Sequence, residues 1–194
     1  PVEKLTDFYG VGAFPLNYPN EWDKRQGKSG HGIWLHGVPK DTYSRPPRAS
    51  NGCVVLSNPD MADVGKSLQA GLTPVVISEQ VEWVSPEEWR SQRERFKGEL
   101  EAWRRDWESL DNDRYLRHYS GKFSANGQDF NAFSAQKRQI HAGKSALKVK
   151  LSDVSMFQYP GKENLMVVTF TQDYQSSNLN NVMKKRQYWQ LESG

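Results

Sequence analysis

The sequence predicts an α+β fold in two regions, a mainly-β region over residues 1–82 and an α+β region over residues 83–194. The first region is rich in glycine, proline and aromatic residues, a composition typical of loops that join short strands. The second region begins with a long amphipathic pattern of helical period. Beyond it, apolar and polar residues alternate with a period of two, which indicates antiparallel strands and completes an α+β arrangement.

Short apolar runs predict the elements of the first region. Residues 33–35 lie between glycines and predict a buried strand, and residues 54–56 predict the next strand. Asn58 is expected to cap a helix that has a proline at its first position and ends near Gly71. Residues 73–78 are apolar and predict a further buried strand.

The second region predicts three helices and three strands. A capping box begins at Ser85, with proline at the first helical position, and starts a long helix. The apolar residues of this helix form one stripe that is expected to face the core: Trp89, Phe96, Leu100, Trp103, Trp107 and Leu110. The remaining elements are short helices at residues 115–119 and 133–140, and strands from Leu147, over residues 165–174 and over residues 183–191.

Charge and cysteine content exclude several classes of protein. The chain carries 26 Lys and Arg against 23 Asp and Glu, and a net charge of +3 is too small to predict a nucleic-acid partner. No run predicts a transmembrane segment, and the N-terminus lacks a signal-peptide pattern. One cysteine excludes an internal disulfide framework and a zinc site built on several thiolates. We predict no metal and no cofactor, because ligand spacing with a carboxylate is absent around His31, His36, His118 and His141.

Cys53 and His36 are the candidate catalytic pair. A nucleophilic cysteine needs a base, and imidazole is suitable because its pKa lies near neutrality. The two side chains would lie close together if their predicted strands are neighbours. Gly52 permits a tight turn whose amides can hold a negative oxygen. The alternative is an inert buried thiol with a hydrogen-bonded core histidine, and these residues alone leave both interpretations open.

A family motif surrounds this pair, formed by His36, Gly37 and, after a loop, Ser50, Asn51, Gly52 and Cys53. The pattern resembles the L,D-transpeptidase (YkuD-type) catalytic domain of bacterial cell-wall enzymes. Residues 10–37 are similar to the branch that appends a cone-like, nuclear-transport-factor-2-like (NTF2-like) α+β domain, as in cell-shape-determining L,D-carboxypeptidases of curved bacteria. Because strands of that fold are missing before Pro1 and after Gly194, we expect the chain to be a fragment.

The resemblance implies a role for each motif residue. Cys53 would be the nucleophile and His36 the general base, with the carbonyl of Gly37 orienting the imidazole. The amides of Gly52 and Cys53 would form the oxyanion hole, and Ser50 would support the cysteine loop.

Five further residues are assigned to substrate binding: Arg45, Arg48, Asn51, Trp34 and Tyr43. The two arginines would hold a substrate carboxylate, since Val55 stands where many members of the family carry an arginine. Their alternative interpretation is that of solvated loop residues. Asn51 replaces a second histidine that many members have.

The resemblance implies an enzyme that acts on the tetrapeptide stems of peptidoglycan in the periplasm or cell envelope. It would be an L,D-transpeptidase or an L,D-carboxypeptidase. The alternative is a non-catalytic binding or scaffold protein that holds a glycan, a peptide or an envelope protein in the pocket of the cone-like domain. Aromatic residues would line that pocket, or else form the core: Tyr115, Tyr119, Phe123 and Trp189.

Overall fold

The computed structural model describes residues 7–161 and 164–192. It divides into two compact units, residues 1–77 and residues 78–194. Both helices and strands are present, and the predicted α+β class is confirmed. The strands expected before Pro1 and after Gly194 lie outside the described residues. No helix within the described ranges combines the length and apolar character needed to cross a bilayer.

The first unit is built around a sheet of three short strands. Its elements are a 3₁₀ turn at Asp7–Tyr9, β1 (Ala13–Pro15), α1 (Glu21–Arg25), β2 (Trp34–His36), β3 (Val54–Val55) and α2 (Asn58–Gly65). The central strand β2 pairs with β1 antiparallel and with β3 parallel. The two strands predicted on either side of the motif loop are therefore neighbours.

Two predictions in the first unit are wrong in detail. Helix α2 begins one residue early, because the Ser57 side chain accepts from the amide of Asp60 and acts as the cap instead of Asn58. The helix also ends at Gly65, before Gly71. Residues 73–78 form no strand, and the side chain of Ile77 is 62% exposed. An apolar run becomes a strand only beside a chain that satisfies its amides and carbonyls, and no described strand pairs with this segment.

The second unit packs helices against an antiparallel sheet. Its elements are α3 (Pro86–Glu108), α4 (Asn112–Leu116), β4 (Ser124–Ala125), β5 (Gln128–Asp129), α5 (Phe130–Ala142), β6 (Leu147–Gln158), β7 (Leu165–Ser176) and β8 (Asn180–Gln190). The long strands follow the order β6-β7-β8. A bulge between Ser152 and Ser155 interrupts the β6–β7 register, and bulges bend a sheet. This bend suits a sheet that curves around helices.

The long helix α3 follows the predicted pattern closely. The Ser85 hydroxyl accepts from the amide of Glu88, as a capping residue should. Phe96 begins the buried stripe of the helix, which continues through Leu100, Trp103 and Trp107. Trp89 lies outside this stripe with half of its surface exposed, since the first turns of the helix contact little of the core.

An aromatic cluster fills the second unit, and it removes Tyr115 from the four aromatic residues that were expected to line a pocket or to form the core. Tyr115 is 1% exposed, so it presents no surface to a ligand. Its hydroxyl lies 2.6 Å from that of Tyr119, which also accepts from Trp103 Nε1 at 3.1 Å. Burial raises the pKa of Tyr119 to about 12. Phe123 packs against Tyr119, and Trp189 packs edge-on against Trp103. Tyr115 therefore belongs to the core, whereas the partly buried Tyr119 also lines a pocket next to α4.

Candidate active site

The β2–β3 register brings the chain segments that carry the candidate catalytic pair side by side. His36 lies opposite Val55, and Leu35 lies opposite Val54. Cys53 directly precedes β3, and if the alternation of side chains along that strand continues to it, its side chain shares the face of Val55 and His36. The parallel pairing of these strands brings together two residues that are 17 positions apart in the sequence.

The imidazole of His36 is fixed by its neighbours. His36 is 1% exposed, and its Nδ1 lies 2.6 Å from the carbonyl oxygen of Gly37. A carbonyl only accepts, so Nδ1 carries the proton and Nε2 is the basic nitrogen of the neutral ring. The ring of Tyr9 packs edge-on against the imidazole at 5.0 Å between centroids. The ring is therefore held in the tautomer that a general base requires.

The loop before β3 presents the thiol. Cys53 is partly exposed, and its Sγ lies 3.7 Å from the carbonyl oxygen of Gly32. Ser50 Oγ donates to the carbonyl of Cys53 at 2.6 Å, which ties the two ends of the motif turn. Gly52 has a φ of +107°, and a Cβ there would lie 2.6 Å from Cδ1 of Ile33. Only glycine fits this turn without strain.

No hydrogen bond joins the thiol to the imidazole, and within the described part of the chain Nε2 has no protein partner. Catalytic hydrogen bonds are often long before substrate binds. A free Nε2 on the same face as Cys53 is compatible with proton transfer once the thiol turns away from Gly32.

Two of the five predicted substrate-binding residues contact aromatic rings that pack near the histidine, and their assignment to substrate binding stays a prediction. The guanidinium carbon of Arg45 lies 4.8 Å from the centre of the Phe8 ring, and that ring lies 6.0 Å from the imidazole. Trp34 stacks on Tyr9 with 5.0 Å between centroids.

The other three predicted substrate-binding residues lie on exposed parts of the motif loop. Tyr43 is 80% exposed, and Asn51 and Arg48 are also exposed. Arg48 adopts a left-handed backbone conformation with a φ of 63°. None of these three makes a described contact with His36 or Cys53, so their assignment to substrate binding stays a prediction.

Sequence reasoning missed three residues around the histidine. Phe8 and Tyr9 reach it from the 3₁₀ turn, far away in the sequence, and an aromatic pair in a loop carries no specific signal. Asn58 was interpreted as a helix cap, but its side chain binds the backbone of Val11 and Val38. Such a role depends on three chain segments meeting in space, which no local pattern encodes.

Of the remaining histidines, His118 and His141 are bound to polar side chains and His31 is exposed. His118 Nε2 lies 2.8 Å from Asp106 Oδ2, and His141 Nδ1 lies 2.7 Å from Asn112 Oδ1. Burial is the main cause that lowers the pKa of His141. No group of three or more His, Cys, Asp or Glu side chains within residues 7–161 and 164–192 could hold a metal ion.

The fold and the site together define a chain that joins an L,D-transpeptidase catalytic domain to an NTF2-like domain. The model of the L,D-transpeptidase catalytic domain (YkuD) matches residues 3–77. The model of the Cds6 C-terminal NTF2-like domain matches residues 95–194. The chain belongs to the family of proteins that combine these two domains, a family of peptidoglycan-related L,D-transpeptidases and L,D-carboxypeptidases.

Solved structures of this family resemble the chain over nearly its whole length. Bd1075 of Bdellovibrio bacteriovorus has a TM-score of 0.82 and 31% identity, over 96% of this chain and 68% of that protein. Pgp2 of Campylobacter jejuni, a helical cell shape determining protein, has a TM-score of 0.71 and 29% identity, over 96% of this chain and 66% of that protein. The chain thus spans about two thirds of the length of these proteins. Comparison with curated proteins found no match.

Proposed function

We propose that the first unit transfers the acyl group of peptidoglycan tetrapeptide stems through a covalent intermediate on Cys53. The thiol gives its proton to Nε2 of His36, and the sulfur attacks the carbonyl carbon of the residue before the terminal D-alanine. A carbon–sulfur bond forms, the carbon–nitrogen bond breaks, and the proton passes to the departing amine of D-alanine. The observation that carries this proposal is the bond from Nδ1 to Gly37, because it leaves Nε2 basic on the face that holds Cys53.

Two other features support acyl transfer. The turn at Gly52 has a positive φ, and a turn of this kind can point successive backbone amides at the negative oxygen that develops on the attacked carbonyl. The guanidinium of Arg45 lies over the ring of Phe8, and that ring lies 6.0 Å from the imidazole of His36. A guanidinium there suits the carboxylate of the stem peptide.

The acceptor of the acyl group is an amine of a second stem in transpeptidation or water in carboxypeptidation. We favour carboxypeptidation, because Cys53 is partly exposed and water can reach an acyl group bound to it. Stem peptides are found in the cell wall, so this activity places the protein in the cell envelope.

Incubation with a purified disaccharide tetrapeptide is expected to give an acyl-enzyme and free D-alanine. Whole-protein mass spectrometry should show one adduct on Cys53, and product analysis should show a tripeptide stem. Crosslinked dimers in place of the tripeptide would show that the acceptor is an amine and not water. The absence of both adduct and products would contradict the proposal.

A second candidate function, anion binding by the second unit, is favoured by a buried donor without a partner. Trp107 Nε1 is buried and has no hydrogen-bond partner among the described residues, which is costly unless a ligand or water supplies one. Lys137 Nζ lies 5.4 Å from the centre of the same indole. Lys185 lies opposite the buried Phe170 in the β7–β8 register, so it leaves the sheet on the core-facing side.

We infer that these groups form a positively charged site. Burial and the nearby charge of Lys185 lower the pKa of Lys137 to about 8. Two ammonium groups and an indole N–H offer only donors, and a carboxylate offers only acceptors. The site therefore suits a carboxylate, such as those of peptidoglycan stem peptides. A bound carboxylate favours protonated Lys137, so affinity should fall as the pH rises through about 8.

Replacing Lys185 with methionine is expected to weaken binding of a disaccharide tetrapeptide by about tenfold, since a charged hydrogen bond is lost. Lys184→Met is the matched control, because Lys184 lies on the opposite face of the same strand. The titration should be followed by the indole N–H resonance of Trp107 in a Cys53→Ala background, which prevents turnover. Equal effects of the two substitutions, or an indole resonance that does not move, would contradict this role.

A further inference from the structure

Asn58 connects three segments of the first unit through its side chain. Its Oδ1 accepts from the amide of Val11 at 3.2 Å and from the amide of Val38 at 3.1 Å. Its Nδ2 donates to the carbonyl of Val38 at 2.9 Å. The side chain at the start of α2 therefore binds both polar groups of one backbone residue that follows β2.

The backbone around this amide is packed closely. A Cβ at Gly10 or at Gly37 would collide with Asn58 Oδ1. The amide of Gly37 also donates to the carbonyls of Tyr9 and Gly12, at 3.1 and 3.2 Å. The two glycines thus leave the space that the Asn58 side chain occupies.

The same backbone holds the catalytic imidazole. Gly37 supplies the carbonyl that accepts from His36 Nδ1, and it lies directly before Val38, which Asn58 binds. Tyr9, whose carbonyl is bound to Gly37, packs its ring against the imidazole. Any shift of the backbone at residues 37–38 would move both contacts of His36.

We propose that Asn58 is a positioning residue for His36, which it serves by fixing the backbone at residues 37–38. The Gly37 carbonyl then stays on Nδ1, and Nε2 stays free to accept the thiol proton. This inference rests on the proposed function of Cys53 and His36 and adds a residue to that site. An amide is required, because Asn58 accepts twice and donates once, whereas aspartate lacks the donor and leucine lacks both.

The test is the tautomer of His36, read from the ring nitrogen resonances of histidine-labelled protein. The wild type is expected to show one neutral form, with its proton on Nδ1. Asn58→Leu is expected to show a mixture of both forms. Alkylation of Cys53 by iodoacetamide at neutral pH should slow by about 10- to 100-fold, as expected when a catalytic group is misplaced by a fraction of an ångström to one ångström.

A matched control separates positioning from a general loss of stability. Met61 is buried on the same helix, and Met61→Val should lower the melting temperature while the tautomer and the alkylation rate stay as in the wild type. Asn58→Asp retains the acceptor and loses only the donor, so it gives the same readout if Asn58→Leu does not fold. In a His36→Gln background, Asn58→Asp should have no further effect on alkylation.

The outcomes distinguish this inference from the function on which it rests. An unchanged tautomer and rate in a folded Asn58 variant would overturn the positioning role, as would an equal change in Met61→Val. The other case is a wild type with the Nδ1–H tautomer, an Asn58→Leu variant without it, and no adduct between the wild type and stem peptides. That result would support the positioning role and remove the proposed substrate.

Discussion

Replacing Cys53 with alanine is expected to lower the rate of D-alanine release from tetrapeptide stems by a factor of about 10³ or more. The sulfur forms the covalent intermediate, and no other cysteine in the chain can replace it. His36→Gln should lower the same rate by about 10²- to 10⁴-fold, because general base catalysis contributes that much. The measurement is single-turnover product release, with whole-protein mass spectrometry to detect the adduct.

The control for these substitutions is the stability of the first unit. Cys53 is partly exposed, so Cys53→Ala should change the melting temperature little. His36 is buried and bound to Gly37, so His36→Gln must be shown to remain folded before its rate is interpreted. If Cys53→Ala retained a tenth of the wild-type rate, the nucleophile would be elsewhere or the chain would act without a covalent step.

Periodic and capping patterns predicted the second unit well, because these patterns have direct physical causes. Helix α3 begins at the predicted cap, and its buried residues follow the helical period from Phe96 to Trp107. Strands β7 and β8 appear where the alternation lies, since one face of each strand meets the helices. Helix α4 begins at Asn112, before the predicted start at Tyr115. The reason is that the Asp111 side chain accepts from the amides of residues 113 and 114 and so caps the helix at that point.

Properties that depend on contacts between distant segments could not be predicted. The resemblance assigned the Gly37 carbonyl to orient the imidazole of His36, and that contact is present, but no local pattern pointed to the other groups around it. Tyr9 packs against the ring and Asn58 binds the backbone of Val38, both from distant positions in the sequence. The same holds for Tyr115, which composition allows in a pocket or in a core, and only the packing of neighbouring rings decides between them.

Trp103→Ala is expected to destabilise the second unit by about 3–5 kcal/mol, the cost of removing a buried aromatic side chain. Trp103 is 2% exposed and lies at the centre of the aromatic cluster, where its ring contacts those of Trp107, Phe170 and Trp189. Truncation would leave a large cavity and would also remove the hydrogen bond to Tyr119. Urea unfolding followed by far-ultraviolet circular dichroism measures the change. Because a domain is stabilised by only about 5–15 kcal/mol, a large share of its stability would be lost.

Two variants separate the causes of this loss. Trp103→Phe keeps much of the ring but removes the N–H donor to Tyr119, so it should cost clearly less than alanine if volume dominates. Trp89→Ala removes the same side chain from the same helix at a position that is half exposed, and it should cost within about 1 kcal/mol. Alanine forms helices better than tryptophan does, so a loss in either variant cannot come from helix propensity. If Trp89→Ala and Trp103→Ala proved equally destabilising, the aromatic cluster would not be what holds α3 against the sheet.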